Sequence, residues 1–162
     1  MDMAVWIVFI VGEETLALRQ EDVRRVLPLP ALGRPPGLPQ IVEGILDLAG
    51  VAIPVVRLDR LFGFPAPPLH PYQHLLLLSS ANPPLALLVD RVTDVLRDMG
   101  PRITHLGPGE TFNDCVVGQL AHGTKSVHLL SAERLLNEHE RQALADFQRM
   151  EKRRLDEMRS LA

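Results

Sequence analysis

His70 and His74 stand four residues apart, a spacing that on a helix would put two imidazoles on one face as metal ligands. Here the interval crosses Pro71 at the start of His74 to Ser79, an apolar run that reads as a strand, so the shared face is lost. Cys115 is the single cysteine; in a strand pattern it reads as a small buried hydrophobe rather than a nucleophile, and alone it excludes an internal disulfide. No serine lies in a G-x-S-x-G elbow, the carboxylates are scattered, and Gly107-Pro108-Gly109 lacks the lysine and helix of a phosphate-binding loop. No catalytic, metal or cofactor site is expected, and the chain reads as a binding protein, not an enzyme. Net charge is −3 with no basic stripe outside the tail, so nucleic acid is not an expected partner. The apolar runs, Ala4 to Val11 and Leu75 to Leu78, are far shorter than a membrane span, so no direct membrane insertion is expected. Met1-Asp2 leads straight into the first strand pattern without a basic or apolar leader, and with the lone cysteine this makes the cytoplasm the expected address.

The elements that would position any site are given twice. Leu16, Ala17, Leu18, Val23 and Val26-Leu27 recur as Leu85, Ala86, Leu87, Val92 and Val95-Leu96, at an offset of about 69. Gly44, Leu46, Gly50, Ile53, Val55-Val56, Arg60 and Leu61 recur as Gly118, Leu120, Gly123, Val127, Leu129-Leu130, Arg134 and Leu135, at about 74 with one slip between the glycines. Two similar all-β units of roughly seventy residues, followed by a tail, suggest a pseudo-twofold body that binds.

Val5 to Val11 and Thr15 to Leu18 around Gly12 read as a β-hairpin, and Glu21 to Leu27 places Val23, Val26 and Leu27 at the spacing of a short helix. Pro28 to Pro39 is too rich in proline and glycine for regular structure. Ile41 to Leu48 and Val51 to Leu58 form a second hairpin around Ala49-Gly50, in which Pro54 argues for an edge or a bulge. Pro65 to Pro71 is a stiff connector, after which the second unit turns at Ser80-Ala81-Asn82-Pro83 and repeats the pattern, Val92 to Leu96 as short helix or strand. From Ser131, a candidate N-cap, no proline or glycine follows; a helix of about 30 residues is expected, docked through its first half and with a candidate break near Glu151. The expected organisation is one domain over 1–150, with a first barrel at about 1–67, a second at about 71–130 and a docked helix at 131–150. A charged helical tail occupies 151–162.

Residues 44–59, GILDLAGVAIPVVRLD, resemble the signature G-V-x-N-L-R-G-x-V-V-P-V-x-D-L-R of the CheW family of chemotaxis coupling proteins. The likeness extends over about residues 5–147 through the Val23 to Val26 segment, Leu87-Leu88-Val89-Asp90-Arg91-Val92, Gly118, Leu129-Leu130 and Arg134-Leu135-Leu136. The resemblance implies two intertwined five-stranded SH3-like barrels. It also implies a cytoplasmic, non-catalytic adaptor at membrane-associated receptor arrays, bridging a CheA-type histidine kinase to the cytoplasmic tip of methyl-accepting chemoreceptors.

Three departures mark this chain. Ala49 stands where the family pattern has arginine, Arg57-Leu58-Asp59 exchanges the charges of D-L-R, and Arg25 stands where the family often has an acid. The expected protein-binding residues are Val23, Arg25, Gly44, Ala49, Gly50, Arg57 and Asp59, with Val89 and Asp90 structural. Either these charges drifted on a solvated surface or they were matched to a dedicated kinase and receptor. In the tail, Lys152, Arg153 and Arg154 beside Glu151, Asp156 and Glu157 fit a solvated helix or a partner-binding one. The alternative function is accordingly a regulator outside arrays that binds another protein through its C-terminal helix.

Overall fold

Uninterrupted apolar runs such as Leu75 to Leu78 call for strands buried on both faces, and the sheets supply that environment. The computed structural model describes residues 4–79, 84–97, 103–105, 115–136 and 138–160; the turn at Ser80 to Pro83 and the Gly107-Pro108-Gly109 break lie outside them. The chain runs β1 (Val5–Val11), β2 (Glu14–Arg19), a 3-10 turn (Gln20–Asp22), β3 (Val23–Pro28), β4 (Val42–Leu48), β5 (Val51–Arg57) and a one-turn helix α1 (Leu58–Leu61). It continues as β6 (His74–Leu78), β7 (Ala86–Val89), β8 (Arg91–Arg97), β9 (Ile103–His105), β10 (Val116–His122), β11 (Lys125–Leu130), a 3-10 turn (Ala132–Arg134) and α2 (Glu138–Ser160).

A six-stranded sheet has the order β8-β1-β2-β11-β10-β9, and a five-stranded sheet the order β3-β6-β7-β5-β4. Exchanging each strand for its repeat converts one order into the other, with β9 added at an edge. The expected boundaries at 1–67 and 71–130 are thereby corrected. The first hairpin of each repeat leaves its own unit and joins the sheet built from the rest of the other, through the parallel pairs β2–β11 and β7–β5. The register repeats as well: Leu129 lies beside Ala17, and Val55 beside Ala86. So do the bulges, which fall at Arg24 and Thr93, and again at Glu43 and Val117.

Three apolar clusters follow from the alternation of side chains. Ile7, Phe9, Leu16, Leu18, Leu76, Leu78, Leu87 and Val89 belong to the central core shared by the two sheets. The opposite faces of the same strands supply Leu75, Leu77, Ala86, Leu88, Leu46, Ile53 and Val55 on one side, and Trp6, Val8, Ala17, Leu120, Val127 and Leu129 on the other. Exchange of the exposed hydrophobic area of such side chains for packed interior is the main stabilising contribution, about 1.5–3 kcal/mol for each large residue.

Several local expectations are corrected. Glu21 to Leu27 is a 3-10 turn and then β3; the bulge at Arg24 inserts one residue into the two-residue alternation, which is why the apolar spacing imitates a helix. Val92 to Leu96, open between short helix and strand, is strand, within β8. Pro54 is neither on an edge nor in a bulge: β5 lies inside the sheet, and its pairing with β7 begins one residue later, at Val55. Opposite Pro54, Ile45 turns its N–H and C=O outward to Gly33, so no ladder bond from β4 is lost to the missing donor. Ser131 makes no side-chain cap, the helix starts only at Glu138, and it passes Glu151 without a break. Leu144 and Phe147 dock it, while residues 152–159 are exposed.

Candidate protein-binding site

The β4 bulge turns Glu43 out of the regular alternation and toward three arginines. Its carboxylate lies 3.1 Å from Arg34, 3.3 Å from Arg60 and 3.8 Å from Arg57. Arg57, at the end of β5, makes a two-pronged pair with Asp59, Nε to Oδ1 at 3.0 Å and Nη2 to Oδ2 at 2.7 Å, and also donates to the Pro67 carbonyl at 2.8 Å. Asp59 Oδ1 additionally accepts the Arg60 N–H at 2.7 Å. The hydrogen bond to Asp59, with the nearby carboxylates of Asp59, Glu43 and Asp90, raises the Arg57 pKa above the ordinary guanidinium range against the opposing effect of burial.

This network sets the loop of residues 29–41, α1 and the connector against β4 and β5. Across β4 the loop makes a single bridge, Gly33 N–H to Ile45 O at 2.9 Å and Ile45 N–H to Gly33 O at 2.8 Å, and sends Leu29 and Leu32 onto the lateral core. Gly44 permits that approach: a Cβ there would meet Gly33 O and Leu32 Cβ, each at 2.8 Å.

Arg57 is 3% exposed and Asp59 6%, so the expectation that they drifted on a solvated surface or face a partner is corrected. Exchanging the two charges relative to the family pattern keeps an internal pair. Val23 and Gly44 are also buried. Only Arg25, Ala49 and Gly50 of the expected set face solvent. Ala49 and Gly50 form the two-residue turn between β4 and β5 with φ of 51° and 84°, and Asp47 Oδ1 accepts the Gly50 N–H at 3.0 Å. Two successive positive φ angles match the twist of the strands. Val89 is buried and Asp90 Oδ2 accepts the Gly12 N–H at 2.8 Å.

The repeat relates the exposed members to positions in the other sheet. In the six-stranded sheet His122, at the end of β10, lies 3.6 Å from Asp94 of β8, although three strands separate them in the sheet order. The sheet must curl to bring them together. Arg25 and Leu48 are the corresponding positions of the five-stranded sheet, and Leu27 and Leu48 do pack on one cluster. The exposed residues of β3 (Arg24, Arg25 and Val26, the last 41% exposed) lie at one edge of this sheet, and the turn of Ala49 and Gly50 with the 49%-exposed Val51 follows the strand at its other edge. Val26, Val51, Glu43 and Arg34 escaped sequence reasoning. Val26 had a signal, its repeat at the 56%-exposed Val95, whereas the arginine cluster depends on a bulge that spacing does not reveal.

Among the described residues, no group of three or more His, Cys, Asp or Glu could hold a metal, and no helix is long and apolar enough to cross a membrane. Residues 6–140 match the CheW-like domain. The chain belongs to the CheW-like domain family. That family is one of non-catalytic scaffolds of chemosensory signalling. The fold is similar to the crystal structure of scaffolding protein TtCheW from Thermoanaerobacter tengcongensis, with a TM-score of 0.75 and 24% identity, covering 85% of this chain and 90% of that one. No curated protein matches. The CheW-like match ends near the start of α2, so most of that helix lies beyond it.

Proposed function

We propose that this chain is a cytoplasmic adaptor that couples the tip of a methyl-accepting chemoreceptor to a CheA-type histidine kinase, in a chemosensory pathway of its own. One observation carries the reading beyond family membership: the five-stranded sheet leaves basic and apolar side chains exposed at its edges, Arg24, Arg25 and Val26 of β3 and, at the β4–β5 turn, Ala49, Gly50 and Val51. Apolar contact supplies affinity, and the charge selects among related partners. Arg25 and Ala49 are the two departures from the family pattern that face solvent, which supports a dedicated partner pair. Arg57 and Asp59 contribute by holding the frame.

The test is direct binding of the purified chain to each kinase regulatory domain and receptor tip of its host. One preferred pair is expected, with Arg25→Glu and Val26→Asp weakening binding at least about tenfold at unchanged melting temperature. Preference for the host's standard chemotaxis pair would refute the dedicated pathway, and binding to no kinase or receptor would refute the coupling role.

A second reading is favoured by α2, which runs unbroken to Ser160 with Leu155 and Met158 exposed. In it, the chain works outside arrays and binds another protein through this helix. Truncation after Phe147 separates the two: coupling carried by the sheets survives, and binding carried by the helix is lost.

A further inference from the structure

His74 opens β6 in the five-stranded sheet, and its Nδ1 accepts the backbone N–H of Val92, in β8 of the six-stranded sheet, at 3.0 Å. An amide N–H can only donate, so Nδ1 must be unprotonated and the neutral ring carries its proton on Nε2. Val92 immediately precedes the β8 bulge, and its amide is tied to the other sheet by a side chain. The tie is specific to one side of the pseudo-twofold: the position matching His74 in the first repeat is Val5, which has no side-chain acceptor.

Among the described residues, no carboxylate is paired with the ring. Opposite His74, β3 places Pro28 and β7 places Val89, neither ionisable. On the β7–β8 turn, Asp90 has one carboxylate oxygen on the Gly12 N–H, and Arg91 is exposed. In the preceding turn, the His70 ring packs near Tyr72. Among the described residues no ion pair reaches His74, whereas His122 pairs with Asp94 and His128 with Glu14. Protonation would strengthen those two contacts. At His74 it would set an N–H against an N–H.

We propose that His74 is a proton-sensitive tie between the two sheets, holding β6 to β8 when neutral and releasing them when protonated. The sign follows directly: the contact is present at high pH and lost as the ring gains a proton. The tie lies at the β7–β8 junction, where Asp90 alone separates the two strands, so the response to acidification is read at that junction.

Amide exchange of the full chain by NMR tests this at about pH 8 and about pH 5.5, on either side of the ordinary imidazole range. The protection factor of the Val92 amide should fall about tenfold or more at the lower pH relative to amides of the central strands, one lost hydrogen bond being worth about that much. His74→Asn places Oδ1 near the position of Nδ1 and cannot gain a proton there, so it should keep protection at both pH values. His74→Phe should lose it at both. Equal protection of Val92 at both pH values, or a His74→Asn variant as pH-sensitive as the parent, would overturn the proposal.

Discussion

Replacing Arg57 by methionine removes the guanidinium from the centre of the charged network while nearly preserving side-chain volume. Three hydrogen bonds of 2.7–3.0 Å are lost, two to Asp59 and one to the Pro67 carbonyl, together with the longer contact to Glu43. Hydrogen bonds to charged groups contribute about 1.5–3 kcal/mol each, and breaking a buried pair costs about 3–5 kcal/mol because the partner is left charged and unpaired. Asp59 keeps the Arg60 N–H, and Glu43 keeps Arg34 and Arg60, so we expect a loss of about 3–4 kcal/mol, the lower half of that range. Against a total stability of about 5–15 kcal/mol this is a large fraction. Trp6, the only tryptophan and 5% exposed, reports urea unfolding by its fluorescence. The companion experiment exchanges the charges, Arg57→Asp with Asp59→Arg. Each single reversal should cost more than the double, giving a favourable coupling of about 2 kcal/mol in a double-mutant cycle. An Arg57→Met variant within about 1 kcal/mol of the parent, or a cycle without coupling, would refute the view that these residues act as an internal pair.

Gly44→Ala should cost about 2–3 kcal/mol, because the new Cβ displaces the loop and with it the Gly33–Ile45 bridge and part of the Leu29 and Leu32 packing. Unchanged amide protection at Ile45 would count against it. Ala49→Gly should stabilise the chain by up to about 1 kcal/mol, since a φ of 51° strains a residue with a Cβ; a lower melting temperature would contradict this. Burial first, and then repulsion from Glu21, raises the Asp22 pKa against a smaller opposing attraction from Arg19, with a still smaller repulsion from Glu133. A carboxyl whose pKa is raised by folding binds its proton more tightly in the folded state, so its penalty is absent in acid and grows as pH rises through the carboxylate range. Asp22→Asn should therefore raise the urea midpoint at about pH 7 and leave it unchanged at about pH 3, and equal midpoints at both would refute the sign.

Much of the site was hidden for a reason visible in its residues. Arg57 and Asp59 look like any solvated pair until the connector lays the Pro67 carbonyl over them and the bulge brings Glu43 beside them. Arg25 and Ala49 were legible as departures from a pattern, but their exposure was not, because only the strand order puts β3 and β4 at the edges of one sheet. Val23 to Leu27 was misread because a single bulged residue makes a strand count like a helix.

The duplication, the hairpins, the glycine turns and the family are legible in neighbouring residues: alternation in strands, glycine where φ must be positive, and a motif of fixed spacing. Which strands share a sheet is not. Strands buried on both faces carry the same apolar pattern whichever neighbour they pair with, so local composition cannot distinguish a hairpin kept in its own unit from one given to the other. The connector and the β4 bulge put Arg57 and Asp59 inside, while Arg25 and Ala49 stay on the surface.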